Sequence, residues 1–176
     1  MSDLDERCLD LFPTWLGSLA EDGRALGQAL SKDSVPEAAR RQIAGALNYL
    51  FKSLDLIPDG IEELGYLDDA FVFRVASAVA GDGTGDETVE RLAKDADVIR
   101  EFLGDDYSRL EKFVGQLQVG AVRGRSVEDI VSDDSVRSEF VGEVGGWADG
   151  YEAPSFSRDD KNLVKLRSFL GAKLPT

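Results

Sequence analysis

The stretch from Leu47 to Arg74, LNYLFKSLDLIPDGIEELGYLDDAFVFR, constrains this chain more than any other. It sets one proline, two glycines and four aspartates (Asp55, Asp59, Asp68 and Asp69) between two apolar flanks. Pro58 cannot lie inside a helix without removing a backbone donor and crowding the turn before it. The flanks have helical spacing, so the bend is expected to be a corner between helices. Asp55 is expected to cap a short helix with Pro58 in its first turn. Ile57, Ile61 and Leu64 would share the buried face of that helix. Gly65 is expected to stop it in a left-handed conformation. Asp68 or Asp69 would cap the next helix; if Asp68 does, Leu67 and Val72 form a hydrophobic staple around it. Pro58, Gly65 and Tyr66 are the motif's backbone positions.

The rest of the chain reads as helix too. Leu4, Cys8, Phe12, Trp15, Leu16, Leu19, Leu26 and Leu30 repeat at near-helical spacing. Pro13 is expected to end a short first helix or to open a second. Ser34 and Glu37 form a capping-box pattern for a helix running to about Ser53. Gly81 to Asp86, GDGTGD, is a loop or linker. Its acids fit a calcium loop poorly: Glu87 stands where that turn needs Gly, and Ala93 where it needs a bidentate Glu. Further helices are predicted from Thr88, Asp106, Ser126 and Asp134, and a last one capped by Ser157 and stopped by Gly171. No stretch alternates convincingly as a strand. The expected fold is all-α, a bundle of about seven to nine helices with an Asp-rich hairpin corner near residues 55–69. Residues 1–80 form one region, 81–86 a connection, and 87–176 a second region that either stands apart or packs on the first.

Side-chain chemistry narrows function by exclusion. The chain has no histidine and one cysteine, Cys8. That removes Ser-His-Asp and Cys-His dyads, HExxH zinc sites and an intrachain disulfide. A net charge of −14 opposes binding to nucleic-acid backbones and anionic membranes. No apolar run is long enough to span a bilayer, and the acidic N-terminal stretch is unlike a signal peptide. A cytoplasmic location is expected.

The signature itself resembles a known family. Tyr49-Leu50, then Asp55-Leu56-Ile57-Pro58-Asp59, then Leu64-Gly65-Tyr66-Leu67-Asp68-Asp69 is similar to the pattern of the YkvA-like domain-of-unknown-function family. The resemblance covers about residues 34–80. Lys52-Ser53-Leu54 replaces the family's Ser-Pro-Ile, and Gly60 and Glu62 replace its Phe and second Pro. The resemblance implies a helical hairpin module of bacterial proteins. It implies no activity.

Two readings of the aspartates follow. In the first they anchor free backbone amides at the corner, with Lys52 and Arg74 near enough to pair with them. The protein is then a non-enzymatic interaction or scaffold protein with an unidentified protein partner, no cofactor, and an exposed apolar groove or patch. In the second, Asp55, Asp59, Asp68 and Asp69 converge on Mg or Ca, as a divalent-metal-dependent enzyme or a metal sensor.

Overall fold

The computed structural model describes residues 2–52, 55–58, 61, 63–81 and 83–176. Eight α-helices run through the described residues: α1 (Asp3–Ala29), α2 (Glu37–Tyr49), α3 (Leu67–Ala80), α4 (Glu87–Leu103), α5 (Tyr107–Gln116), α6 (Val127–Ser132), α7 (Asp134–Gly150) and α8 (Asp160–Lys173). A 3-10 turn, Leu117–Val119, follows α5. The fold is all-α, with one small departure. Ala121–Val122 (β1) and Arg125–Ser126 (β2) pair as an antiparallel ribbon, which the sequence did not suggest. Arg123 and Gly124 both take positive φ, 53° and 76°, as a two-residue primed hairpin turn requires.

The first departure from expectation is α1. It runs unbroken through Pro13. Cys8, Leu9 and Phe12 before the proline, and Trp15, Leu16 and Leu19 after it, lie on one buried stripe. Burying a large apolar side chain yields about 1.5–3 kcal/mol. Six such residues outweigh the cost of about 3 kcal/mol for an interior proline.

Three capping expectations also fail. Helix α2 begins after Pro36, with no side-chain cap from Ser34. Helix α8 is capped by Asp159, not Ser157. Gly171 does not stop α8, which continues to Lys173. Its last carbonyls have another partner: Arg109 donates to the carbonyls of Gly171, Leu174 and Pro175. Other starts are as read. Ser126 accepts from the Asp129 amide at 3.0 Å to open α6, and Gly104 closes α4 at φ 57°.

Helices α2 and α4 both pack against α3, while α7 packs against α1. Helix α3 is therefore buried almost all round, Leu67 to Ser77 without interruption. The core joins residues of α1, α2, α3, α4, α5, α6, α7 and α8. The connection between α3 and α4 is drawn inward. Thr84 and Asp86 are buried, and Asp86 caps α4 while pairing with Lys32 at 2.8 Å. Burial pushes the Asp86 carboxyl up, but the Lys32 bond and two amide N–H donors hold it below the usual carboxylate range. Asp82 lies outside the described residues. Among the described residues no helix is long and apolar enough to cross a membrane.

Candidate functional site

The corner is held by a phenol and a carboxylate. Tyr49 ends α2 and Asp68 sits in the first turn of α3; both are buried. The Tyr49 hydroxyl donates to Asp68 Oδ2 at 2.6 Å and accepts from the Leu56 amide at 2.7 Å. The Ile57 amide donates to the same carboxylate oxygen at 3.4 Å. Leu56 and Ile57 therefore have their amides tied to α2 and α3 while their side chains enter the core. Burial, then the Asp68 charge, pushes the Tyr49 phenol well above its ordinary value of 10.0, so it stays a donor.

This differs from the expected corner in three ways. Asp68 does not cap α3, whose N-cap is Tyr66. The staple built on an Asp68 cap falls with it. Among the described residues 55–66 there are bends and turns but no helix started by Asp55. The left-handed positions are Glu63 and Tyr66, at φ 71° and 69°, rather than Gly65. Such a conformation costs a non-glycine residue about 1–3 kcal/mol. Leu64 and Leu67, each nearly fully buried, hold the chain there, and the Tyr66 ring meets Tyr151 edge-on at 5.1 Å. Asp69 lies in the first turn of α3, where the helix dipole favours an anion. Asp59 lies outside the described residues, as do Ser53, Leu54, Gly60 and Glu62.

The flanking cations turn elsewhere. Arg74 is fully buried one helix turn past the corner. Its Nε donates to Asp95 Oδ2 at 3.1 Å, its Nη1 to the Ala70 carbonyl at 3.1 Å, and its Nη2 lies 3.6 Å from Asp22 Oδ2. Trp15 stacks on the guanidinium at 4.2 Å. Asp22 is itself held by Ser18 at 2.9 Å and Arg91 at 2.5 Å. Desolvation pushes Arg74 down to about 10, against the pull of Asp95 and Asp22. Sequence reading missed this network because its members lie on three separate helices.

Beside Tyr49 a cavity of about 170 Å³ opens between α2 and α5. Gly45, Tyr49, Phe113, Leu117 and Val122 form its apolar walls, with Asn48, Lys52 and Gln116 as polar members. Gly45 is required by the packing: a Cβ there would stand 3.0 Å from the Leu117 backbone. Lys52 extends its ammonium over the Phe113 ring, 5.3 Å from the centroid. Phe113, Leu117 and Val122 carried no local signal of this role; only the return of the chain after α4 brings them to α2.

A scan of protein-family models matches residues 39–74 to "Protein of unknown function (DUF1232)". A curated relative, the "Uncharacterized protein ORF9" of Methanothermobacter thermautotrophicus, is 32% identical over 111 residues, 62% of this chain and 71% of that protein. Residues 39–74 belong to the DUF1232 family. No solved structure matches it. The family stretch begins in α2 and ends at Arg74, so it contains the Tyr49–Asp68 clasp and the α2 side of the cavity. Phe113, Leu117 and Val122 lie outside it.

Among the described residues no three His, Cys, Asp or Glu side chains gather to hold a metal ion. The clasp gives the carboxylate of Asp68 a structural use. Adding Mg²⁺ or Ca²⁺ at millimolar concentration is therefore expected to leave the melting temperature unchanged and to give no saturable heat in calorimetry. A saturable heat with a rise of several degrees would assign the corner to a cation instead.

Proposed function

We propose that this DUF1232 protein is a non-enzymatic interaction module, and that it receives one apolar side chain of a protein partner in the cavity between α2 and α5. The carrying observation is the cavity itself, concave and largely apolar, set against a clasp that fixes its α2 wall. Apolar cavities near this size admit a benzene-sized group. The groups around it are poorly suited to catalysis. The Tyr49 hydroxyl is engaged by Asp68, and Lys52 lies over Phe113. This reading takes the cavity as the apolar groove or patch expected from the sequence. The large apolar side chains exposed among the described residues are Val79, Val119 and Val164, on three different elements. A single buried anchor suits such a surface, because hot-spot side chains seated in pockets dominate many interfaces.

The test places a photo-crosslinking amino acid at Gln116, exposed at the cavity edge, in the native host. A discrete adduct is expected, and it should disappear when Val122→Trp fills the cavity. An adduct that survives filling, or none at all, would overturn the proposal.

A further inference from the structure

The outer face of α8 reverses the sign of the molecule. This helix carries four cations, Lys161, Lys165, Arg167 and Lys173, and one carboxylate, Asp160, in a chain of net charge −14. Its inner face is fixed. Leu163, Leu166 and Leu170 are buried, and Arg109 holds the last carbonyls. Arg167 stacks on Phe102 and donates to the Phe102 carbonyl at 3.2 Å and to Asp5 at 3.3 Å. Lys161, Lys165 and Lys173 are left on the exposed side, where the helix has no carboxylate after Asp160. Two carboxylates border that side, and both are engaged. Glu63 accepts from the Ser157 amide at 3.0 Å, and Asp106 accepts from Arg109 at 2.9 Å.

The same side holds an apolar groove of about 420 Å³. Val164, Ser168 and Ala172 form one ridge of it; Lys165, Phe169 and Lys173 form the other. Val164 is 61% exposed and Phe169 is half-buried. A groove between ridges of four-residue spacing is the surface into which another helix lays a ridge of its own. We infer that α8 docks an amphipathic helix of a partner protein, with its apolar side chains in the groove and Asp or Glu against Lys165 and Lys173. The site shares no residue with the cavity between α2 and α5 and does not rest on it. Charge selects the occupant. A second copy of α8 would set lysine against lysine. An anionic bilayer would attract the lysines, but it presents no ridge to the groove and repels the strongly negative remainder of the chain.

The test places a photo-crosslinking amino acid at Ser168, exposed in the groove, in the native host. The expected adduct maps by mass spectrometry to a partner helix with Asp or Glu beside its apolar stripe. Lys165→Glu together with Lys173→Glu, both at exposed positions, should reduce that adduct about tenfold, as two rim ion pairs allow, and leave the Gln116 adduct unchanged. In vitro, an acidic helical peptide of about 15 residues, with Leu at heptad spacing and Glu beside it, should shift the amides of Val164, Ser168, Phe169 and Ala172 in the ¹⁵N-labelled full chain. It should bind about tenfold tighter than the peptide with Lys in place of each Glu. No adduct at Ser168, an adduct unmoved by the charge reversal, or one to lipid or to a second copy of this chain would overturn the inference. So would equal binding of the two peptides. Loss of the Gln116 adduct alone would remove the cavity reading and leave this one standing.

Discussion

Asp68→Ala is expected to cost about 3–5 kcal/mol of folding stability, measured by urea denaturation, because it removes a buried acceptor from two donors at once. The Tyr49 hydroxyl and the Ile57 amide both point at its Oδ2. Neither can turn to water, since Tyr49 and Ile57 are buried. Tyr49→Phe should cost less, about 1–3 kcal/mol, because the carboxylate keeps its Ile57 contact while the Leu56 amide loses its acceptor. The two changes should not add, because they break the same bond. The pH dependence has a definite sign. The folded phenol of Tyr49 is raised above its ordinary 10.0, so its contribution is fully present below that pH and is lost as the pH rises past it. Tyr49→Phe should therefore flatten the alkaline limb of the stability profile. A loss under about 1 kcal/mol for Asp68→Ala would mean that the corner is held by something else.

The second large effect belongs to Arg74. Arg74→Ala is expected to destabilise the protein by about 3–5 kcal/mol, the range for breaking one side of a buried ion pair. The residue is fully buried, and its removal leaves a cavity beside Trp15 and takes a counter-charge from Asp22, itself 2% exposed. Ser18 and Arg91 still hold Asp22, which keeps the loss from being larger. Pairing Arg74→Met with Asp22→Leu should recover most of the stability, because apolar residues of similar volume carry no desolvation cost. A double-mutant cycle reads the coupling directly. Additive losses across that cycle would show that Arg74 does not act through Asp22, leaving its bond to Asp95 and its packing on Trp15.

Residue by residue, the sequence was informative where structure is local. Ser126 and Gly104 mark helix ends through bonds and backbone angles that reach only a few residues. The spacing of Val89, Leu92, Ala96, Ile99 and Phe102 places α4, and all five are buried. The signature from Tyr49 to Asp69 announced a bend and a family. It did not reveal which groups the aspartates would meet, since an aspartate before a helix reads as a cap whether or not its oxygens face a distant phenol.

Pro13 shows the same limit from the other direction. As a local signal it ends a helix, yet it sits inside α1 because the stripe on both sides is buried against other elements. Ser34 and Ser157 had caps written into their neighbourhoods, and the helices began elsewhere. Tyr66 takes the left-handed angle that Gly65 was expected to take, because the flanking leucines are fixed in the core and the ring is fixed against Tyr151.

The amino-acid order by itself determined the helical class, most helix positions, the bend near Pro58 and the exclusion of histidine chemistry. These follow from periodicity, capping and composition, which act over one or two turns of chain. Only the tertiary structure decided that Asp68 receives Tyr49, that Arg74 joins Asp22 to Asp95, and that Phe113, Leu117 and Val122 return to α2 to wall a cavity. Those outcomes depend on which helices bury which faces against each other, and the free energy of that choice is shared among residues far apart in the chain.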